Sequence, residues 1–214
     1  MHPMDLTLQQ SFPTVMMPRF GSLQAMQANG ERLVVASNGL FLEILRPWLH
    51  LVRRVARFDV STAIPYGKVE VCTELFCGKV PPALIGEFAA LARQTMPNEA
   101  GAWITWRRDT NAFRLVPVRV LEHSAGHLRY DRPELDAGES LVMDCHSHGA
   151  AEAFFSRTDD TDDQHDVKFA FVLGNCGSHS PSMKVRLCAK GILEPVADVP
   201  VAWRHAVSQR EVAL

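Results

Sequence analysis

One long amphipathic helix followed by a succession of short β-rich runs, between Pro81 and Pro195, limits the fold more than any other feature of this chain. Pro81-Pro82 opens "ALIGEFAALARQTM", in which Leu84, Ile85, Phe88, Leu91 and Ala92 fall on one helical face, and Pro97 stops the helix. The runs "GAWITW", "FRLVPVRV", "SLVMDCH", "KFAFVLG" and "MKVRLCAKGI" then follow, each of strand length and β-rich in composition. A helix followed by several strands must bury its stripe on their sheet. The order therefore predicts an α+β domain, layered α/β/α around a mixed β-sheet.

The N-terminal part reads differently. "ERLVVASNGLFLEILRP" predicts a hairpin turning at Ser37-Asn38-Gly39, because Asn-Gly favours the tight turns that join antiparallel strands. "WLHLVRRVARF", with apolar residues at 48, 49, 51, 52, 55 and 58 and arginines opposite, predicts an amphipathic helix. The first thirty residues show no clear period and are expected to be irregular. Pro65 and Gly67 mark a junction. The expected organisation is a small N-terminal module at 1–62 (hairpin plus helix), a larger domain at 63–200 and a C-terminal tail at 201–214.

Composition excludes several functions. A net charge of -2 gives no electrostatic reason for nucleic acid or an anionic membrane as partner. No apolar run approaches the roughly 20 residues that span a bilayer, and "MHPMDLTLQQSFPTVMMPRF" lacks the pattern of a secretory signal. The five cysteines form no CxxC pair, which argues against a disulfide framework or a cysteine zinc finger. A cytoplasmic setting is expected.

Chemistry concentrates in "DCHSHGAAEAFFSRTDD", Asp144 to Asp160. In a strand, residues i and i+2 share a face, so His146 and His148 can aim both imidazoles at one point while Ser147 and Cys145 face away. Zinc takes imidazole at about 2.0–2.1 Å and in catalytic sites has three protein ligands beside an open position. Asp159, Asp160, Asp162, Asp163 and Asp166 are all candidates for the third ligand. His-x-His alone does not require a metal, since nine histidines make such pairs unsurprising, and an acidic loop is commonly just solvated.

The longer spacing is more specific. His146-x-His148, seven residues, Ser156, two residues, Asp159 resembles the signature of the JAMM (MPN-type) zinc metalloproteases. The glutamate that this family places after an amphipathic helix resembles Glu99 in "MPNEAGAWITW"; the glycine expected three residues later is here Ala102, with Gly101 beside it. The resemblance spans roughly residues 65–195. It implies a cytidine-deaminase-like core, Zn²⁺ held by His146, His148 and Asp159, Glu99 as general base, and Ser156 as hydrogen-bond donor to the developing oxyanion. It also implies cleavage of an amide bond, commonly at the C-terminus of a ubiquitin-like protein or its conjugate. "IPYGKVEV", "YDRPEL" and the histidine stretch resemble a bacterial branch encoded beside ubiquitin-like, E1-like and E2-like proteins, which would be its partners. A non-catalytic scaffold of the same fold, or a zinc hydrolase of a small amino-acyl or peptide conjugate, are the alternatives. Glu70 and Glu74 are rival bases. Asp144 could orient an imidazole, and His123, His127, His165 and His179 are expected in exposed loops.

Overall fold

In the computed structural model, which describes residues 3–59 and 64–208, the N-terminal segment forms helix α1 (Pro3–Ser11) and strand β1 (Thr14–Met16) rather than an irregular stretch. Strand β1 gains its backbone partners by running parallel to β2 (Gly30–Ala36), with Val15 opposite Val34. Strands β2 and β3 (Gly39–Arg46) form the hairpin expected from Asn38-Gly39. Strands β4 (Leu49–Ala56) and β5 (Cys72–Leu75) complete a five-stranded sheet in the order β1-β2-β3-β4-β5.

The helix expected over residues 48–58 is instead strand β4. Pairing with β3 satisfies its backbone from Leu49 to Ala56, and both sheet faces are covered: Leu49 and Leu51 are buried on one, Val52 on the other. Burial on both faces erases the alternation that marks a strand, and tertiary pairing overrides the helical reading of the apolar positions. The expected module boundary at 62/63 lies outside the described residues. Because β5 closes the sheet on β4, the compact unit runs to Gly78, and a second begins at Lys79.

Helix α2 (Pro82–Thr95) opens the second unit and buries Ile85, Phe88, Ala89 and Ala92. It stops where Met96, preceding Pro97, turns extended at ψ 142°. The strands β6 (Gly101–Arg107), β7 (Ala112–Pro117), β8 (Arg119–Ser124), β9 (His127–Asp131) and β10 (Glu139–Ser147) follow. Then come helix α3 (Arg157–Asp163), strands β11 (Val167–Gly174), β12 (Ser182–Ala189) and β13 (Ile192–Pro195), and helix α4 (Val201–Ser208). "FRLVPVRV" is two strands, since the chain leaves β7 after Pro117 and β8 pairs with β9 as a separate hairpin. "MKVRLCAKGI" is also two, split by a turn at Lys190-Gly191 whose φ angles are both positive.

The main sheet has the order β13-β12-β11-β10-β6-β7 and is mixed, with β10 and β11 parallel and the other pairs antiparallel. The expected α+β class is the observed one. Cross-strand partners share a face. Asp144, His146, Lys168, Ala170 and Arg186 therefore lie on one side of the sheet, and Cys145, Phe171 and Leu187 on the other. Helices α2 and α4 cover the second side, where Phe171 meets Phe88 and Trp203 edge-on at 6.0 and 6.1 Å. The expected C-terminal tail is thus part of the core as far as Ser208: Trp203 is buried and its indole donates to the Val80 carbonyl at 3.2 Å. A helix this short shows its role only once its docking partner is known. Residues 209–214 of that tail lie outside the described residues.

Candidate metal centre

Strand β10 delivers the histidines. His146 points to the α3 side, and Ser147 turns away and is fully buried, its hydroxyl accepting from the Ala100 amide at 2.9 Å. Beyond His148 the chain must turn at once. Gly149 has φ +53°, and a Cβ there would sit 2.7 Å from the Pro97 carbonyl oxygen, so the position suits only glycine. The returning loop crosses the end of β11 so closely that a Cβ on Gly174 would lie 2.1 Å from the Ala153 nitrogen. It is held by hydrogen bonds from Asn175 N to Ala151 O and from Cys176 N to Gly149 O.

The loop ends at Ser156, the N-cap of α3, in a complete capping box. The Ser156 hydroxyl oxygen accepts from Asp159 N at 3.2 Å, while Ser156 N and Oγ–H both donate to Asp159 Oδ2, at 2.6 and 2.7 Å. This fixes the Asp159 carboxylate with Oδ1 towards His146. Ser156 therefore has a structural part that its expected oxyanion role did not include: its hydroxyl hydrogen is engaged by Asp159.

His146, His148 and Asp159 converge. The two Nε2 atoms are 3.2 Å apart, and His146 Nε2 is 3.5 Å from Asp159 Oδ1. Three ligands at about 2.0–2.1 Å on a tetrahedral ion would be separated by roughly 3.3–3.4 Å; the two separations from His146 Nε2 are close to that, and a His/His/Asp donor set suits such an ion. They form a His/His/Asp group with all ligand atoms within 4.8 Å of one another. The His148 Nδ1–H donates to the Glu152 carbonyl at 3.1 Å, which leaves the Nε2 lone pair facing the centre. The Phe154 ring packs edge-on against it at 4.5 Å. Burial, only partly offset by Asp159, lowers the pKa of His146 and favours the neutral imidazole that a metal needs.

Glu99 stands just before β6. The β6–β10 register pairs Gly101 with His146, and its continuation brings Glu99 opposite His148. Glu99 is only 7% exposed. Burial first, then the charge of Asp159, pushes its carboxyl up to about 7. Its backbone is fixed by Glu99 N donating to Ser124 O and by its carbonyl accepting from His123 Nδ1. Glu99, His146, His148, Ser156 and Asp159 all line one cleft of about 480 Å³, walled opposite by residues His127 to Tyr130 of β9. Glu70 and Glu74 belong to the other unit.

Several residues around the cleft went unrecognised in the sequence. Asp144 does not orient an imidazole; its carboxylate accepts from Lys168 Nζ at 2.7 Å and from the Tyr130 hydroxyl at 3.0 Å. Lys168 is 2% exposed, and although burial opposes its charge, Asp144 and Asp163 hold its pKa above the ordinary lysine value. The signal was present as cations inside apolar strands, Lys168 in "KFAFVLG" and Arg186 beside Lys184 in "MKVRLCA", because a buried charge requires a partner. His123 and His127 lie on β8 and β9 rather than in loops.

Residues 81–188, just over half of the chain, match the profile of prokaryotic homologs of the JAB domain. The chain belongs to that family. The JAB match begins beside the first turn of α2 and ends in β12, so it contains every residue of the cleft. Residues 2–76 match a domain of unknown function, DUF2016, which corresponds to the first compact unit. No curated protein matches. Among solved structures, the solution structure of protein DSY2949 from Desulfitobacterium hafniense is similar, at 23% identity and a TM-score of 0.41, over 53% of this chain and 85% of that one. Metal binding is common among JAB/MPN proteins, and the His146/His148/Asp159 group is where this JAB domain could hold an ion. No helix among the described residues is long and apolar enough to cross a membrane.

Proposed function

We propose that this chain is a zinc-dependent metallopeptidase of the JAMM type that cleaves an amide bond at the C-terminus of a ubiquitin-like protein or its conjugate. The observation that carries the reading is the convergence of three ligand atoms, all within 4.8 Å of one another, beside a buried glutamate in one cleft. Zinc bound there would supply a Lewis acid that polarises the attacked carbonyl and acidifies a water. His146, His148 and Asp159 would hold the ion. Glu99, in its ionised form, accepts the proton of the attacking water and returns it to the leaving amine. Ser156 donates to the oxyanion once its hydroxyl swings from Asp159 Oδ2. The β9 wall and the exposed Phe154 shape the approach to the cleft.

The substrate class rests on resemblance. "IPYGKVEV", "YDRPEL" and "DCHSHGAAEAFFSRTDDTDD" resemble PRTRC system protein A, encoded beside ubiquitin-like, E1-like and E2-like proteins, and we take those proteins as partners. The test is metal analysis of untagged protein, paired with cleavage of ubiquitin-like fusions and isopeptide conjugates. One zinc per chain is expected, lost in His148→Ala, with cleavage abolished in Glu99→Gln. Stoichiometric zinc retained by His148→Ala would refute the ligand set. A zinc-loaded protein inert on all such conjugates would favour a binding scaffold or a small amino-acyl substrate.

A further inference from the structure

Helix α3 carries Asp159 but has no means of packing by apolar contact. Its seven residues, "RTDDTDD", include no apolar side chain, and Asp163 is its only buried residue. A helix of under two turns is not stable alone, so tertiary contacts must hold it. Here they are ionic. Arg186 of β12 grips the helix at two successive turns, with Nη1 at 2.5 Å from Asp160 Oδ1 and Nη2 at 2.7 Å from Asp163 Oδ2. The Phe155 ring lies 4.0 Å from the guanidinium carbon and buttresses it. Lys168 of β11 binds Asp163 Oδ1 at 2.9 Å and, on its other side, Asp144 Oδ2 at 2.7 Å. Asp144 lies two residues before His146 on β10. One buried ammonium thus joins the element carrying the histidines to the element carrying the carboxylate.

We infer that Arg186 and Lys168 are positioning residues for the metal centre, a two-cation clamp that fixes α3 and sets Asp159 Oδ1 against the two imidazoles. This deepens the metallopeptidase reading and rests on it for its consequence, tight metal binding. The physical reason for a clamp of charges is directional. Arg186 presents a planar fork to two carboxylates at fixed angles, whereas an apolar contact would let a single short helix slide. Removing partners that orient a ligand typically weakens metal affinity by about 10–100-fold.

The experiment uses the full chain in four variants: Arg186→Gln, Arg186→Lys, Asp160→Asn and Asp162→Asn. Affinity for Co²⁺ is measured by chelator competition and by the visible absorption of the bound ion. Amide hydrogen exchange of residues 157–163 is measured on the chelated protein. Asp160 is half exposed and its substitution only weakens a single clamp contact, replacing a charged acceptor by a neutral one, so Asp160→Asn leaves the fold intact. Asp162 is exposed and removes the same charge from the same helix without touching the clamp.

Arg186→Gln is expected to lose about 10–100-fold in cobalt affinity. Asp160→Asn should lose several-fold, Arg186→Lys should recover part of the loss, and Asp162→Asn should match wild type. Exchange in 157–163 should accelerate in Arg186→Gln while β10 to β12 stay protected. Equal losses in Asp160→Asn and Asp162→Asn would reduce the effect to local charge and overturn the clamp. Unchanged exchange of 157–163 in Arg186→Gln would overturn it as well. Wild-type protein that takes up no cobalt would instead sink the metal-centre reading, and the exchange measurement would still decide the clamp.

Discussion

Replacing Glu99 by glutamine should abolish turnover and at the same time stabilise the metal-free fold. Glu99 is 7% exposed, and burial together with Asp159 raises its pKa from 4.5 to about 7. At about 1.4 kcal/mol per pH unit, that gap means the folded protein carries about 3 kcal/mol of cost when Glu99 is ionised. The folded pKa is the higher one, so the neutral acid's stability is fully present below pH 4.5. It is lost progressively as pH rises towards 7. Glutamine has the same shape and never ionises. The unfolding free energy of chelated Glu99→Gln should therefore equal wild type near pH 4 and exceed it by about 3 kcal/mol at pH 8. The measurement is denaturant unfolding followed by a core tryptophan signal, at a series of pH values with chelator present. A variant no more stable than wild type at pH 8, or a difference independent of pH, would refute the argument that Glu99 is held there against its own solvation. In the metal-loaded enzyme the cation draws the carboxyl back down, so the acid limb of activity should fall between 4.5 and about 7.

Ser156→Ala removes both an N-cap and the partner of Asp159 Oδ2; it should cost about 1 kcal/mol of stability and about 10²–10³ in kcat on a verified substrate. An unchanged kcat would leave Ser156 only its cap. Glu139, gripped by Arg114 and by the Thr105 hydroxyl, is held down to about 2, so its contribution is present above pH 4.5 and lost as pH falls through 2. Because Arg114 is half exposed, Glu139→Gln should lower stability at pH 7 by about 1–2 kcal/mol and by less at pH 2, read from acid-dependent unfolding. Trp203→Ala should cost about 3–5 kcal/mol and loosen α4, seen as lost exchange protection in residues 201–208; full protection there would refute the docking of that helix.

Local pattern alone determined a good deal of this protein. Turn chemistry marked Ser37-Asn38-Gly39, and the stripe from Leu84 to Ala92, stopped by Pro97, marked α2, because both signals act between near neighbours. Strand parity aimed His146 and His148 at one point, while Asp159 was singled out among five aspartates by the resemblance to the JAMM signature and not by local geometry. Strand β4 could not be read in this way, since its pairing with β3 and cover on both faces are not written in its own period. Helix α4 depended on partners more than a hundred residues away, at Val80 and Gly86. Only the tertiary structure committed the Ser156 hydroxyl to the helix cap, buried Glu99 beside Asp159, and joined Lys168 and Arg186 to the carboxylates of α3. A buried charge announces that it needs a partner, but which partner it finds depends on how the strands are ordered, and that order is set by the packing of the whole sheet.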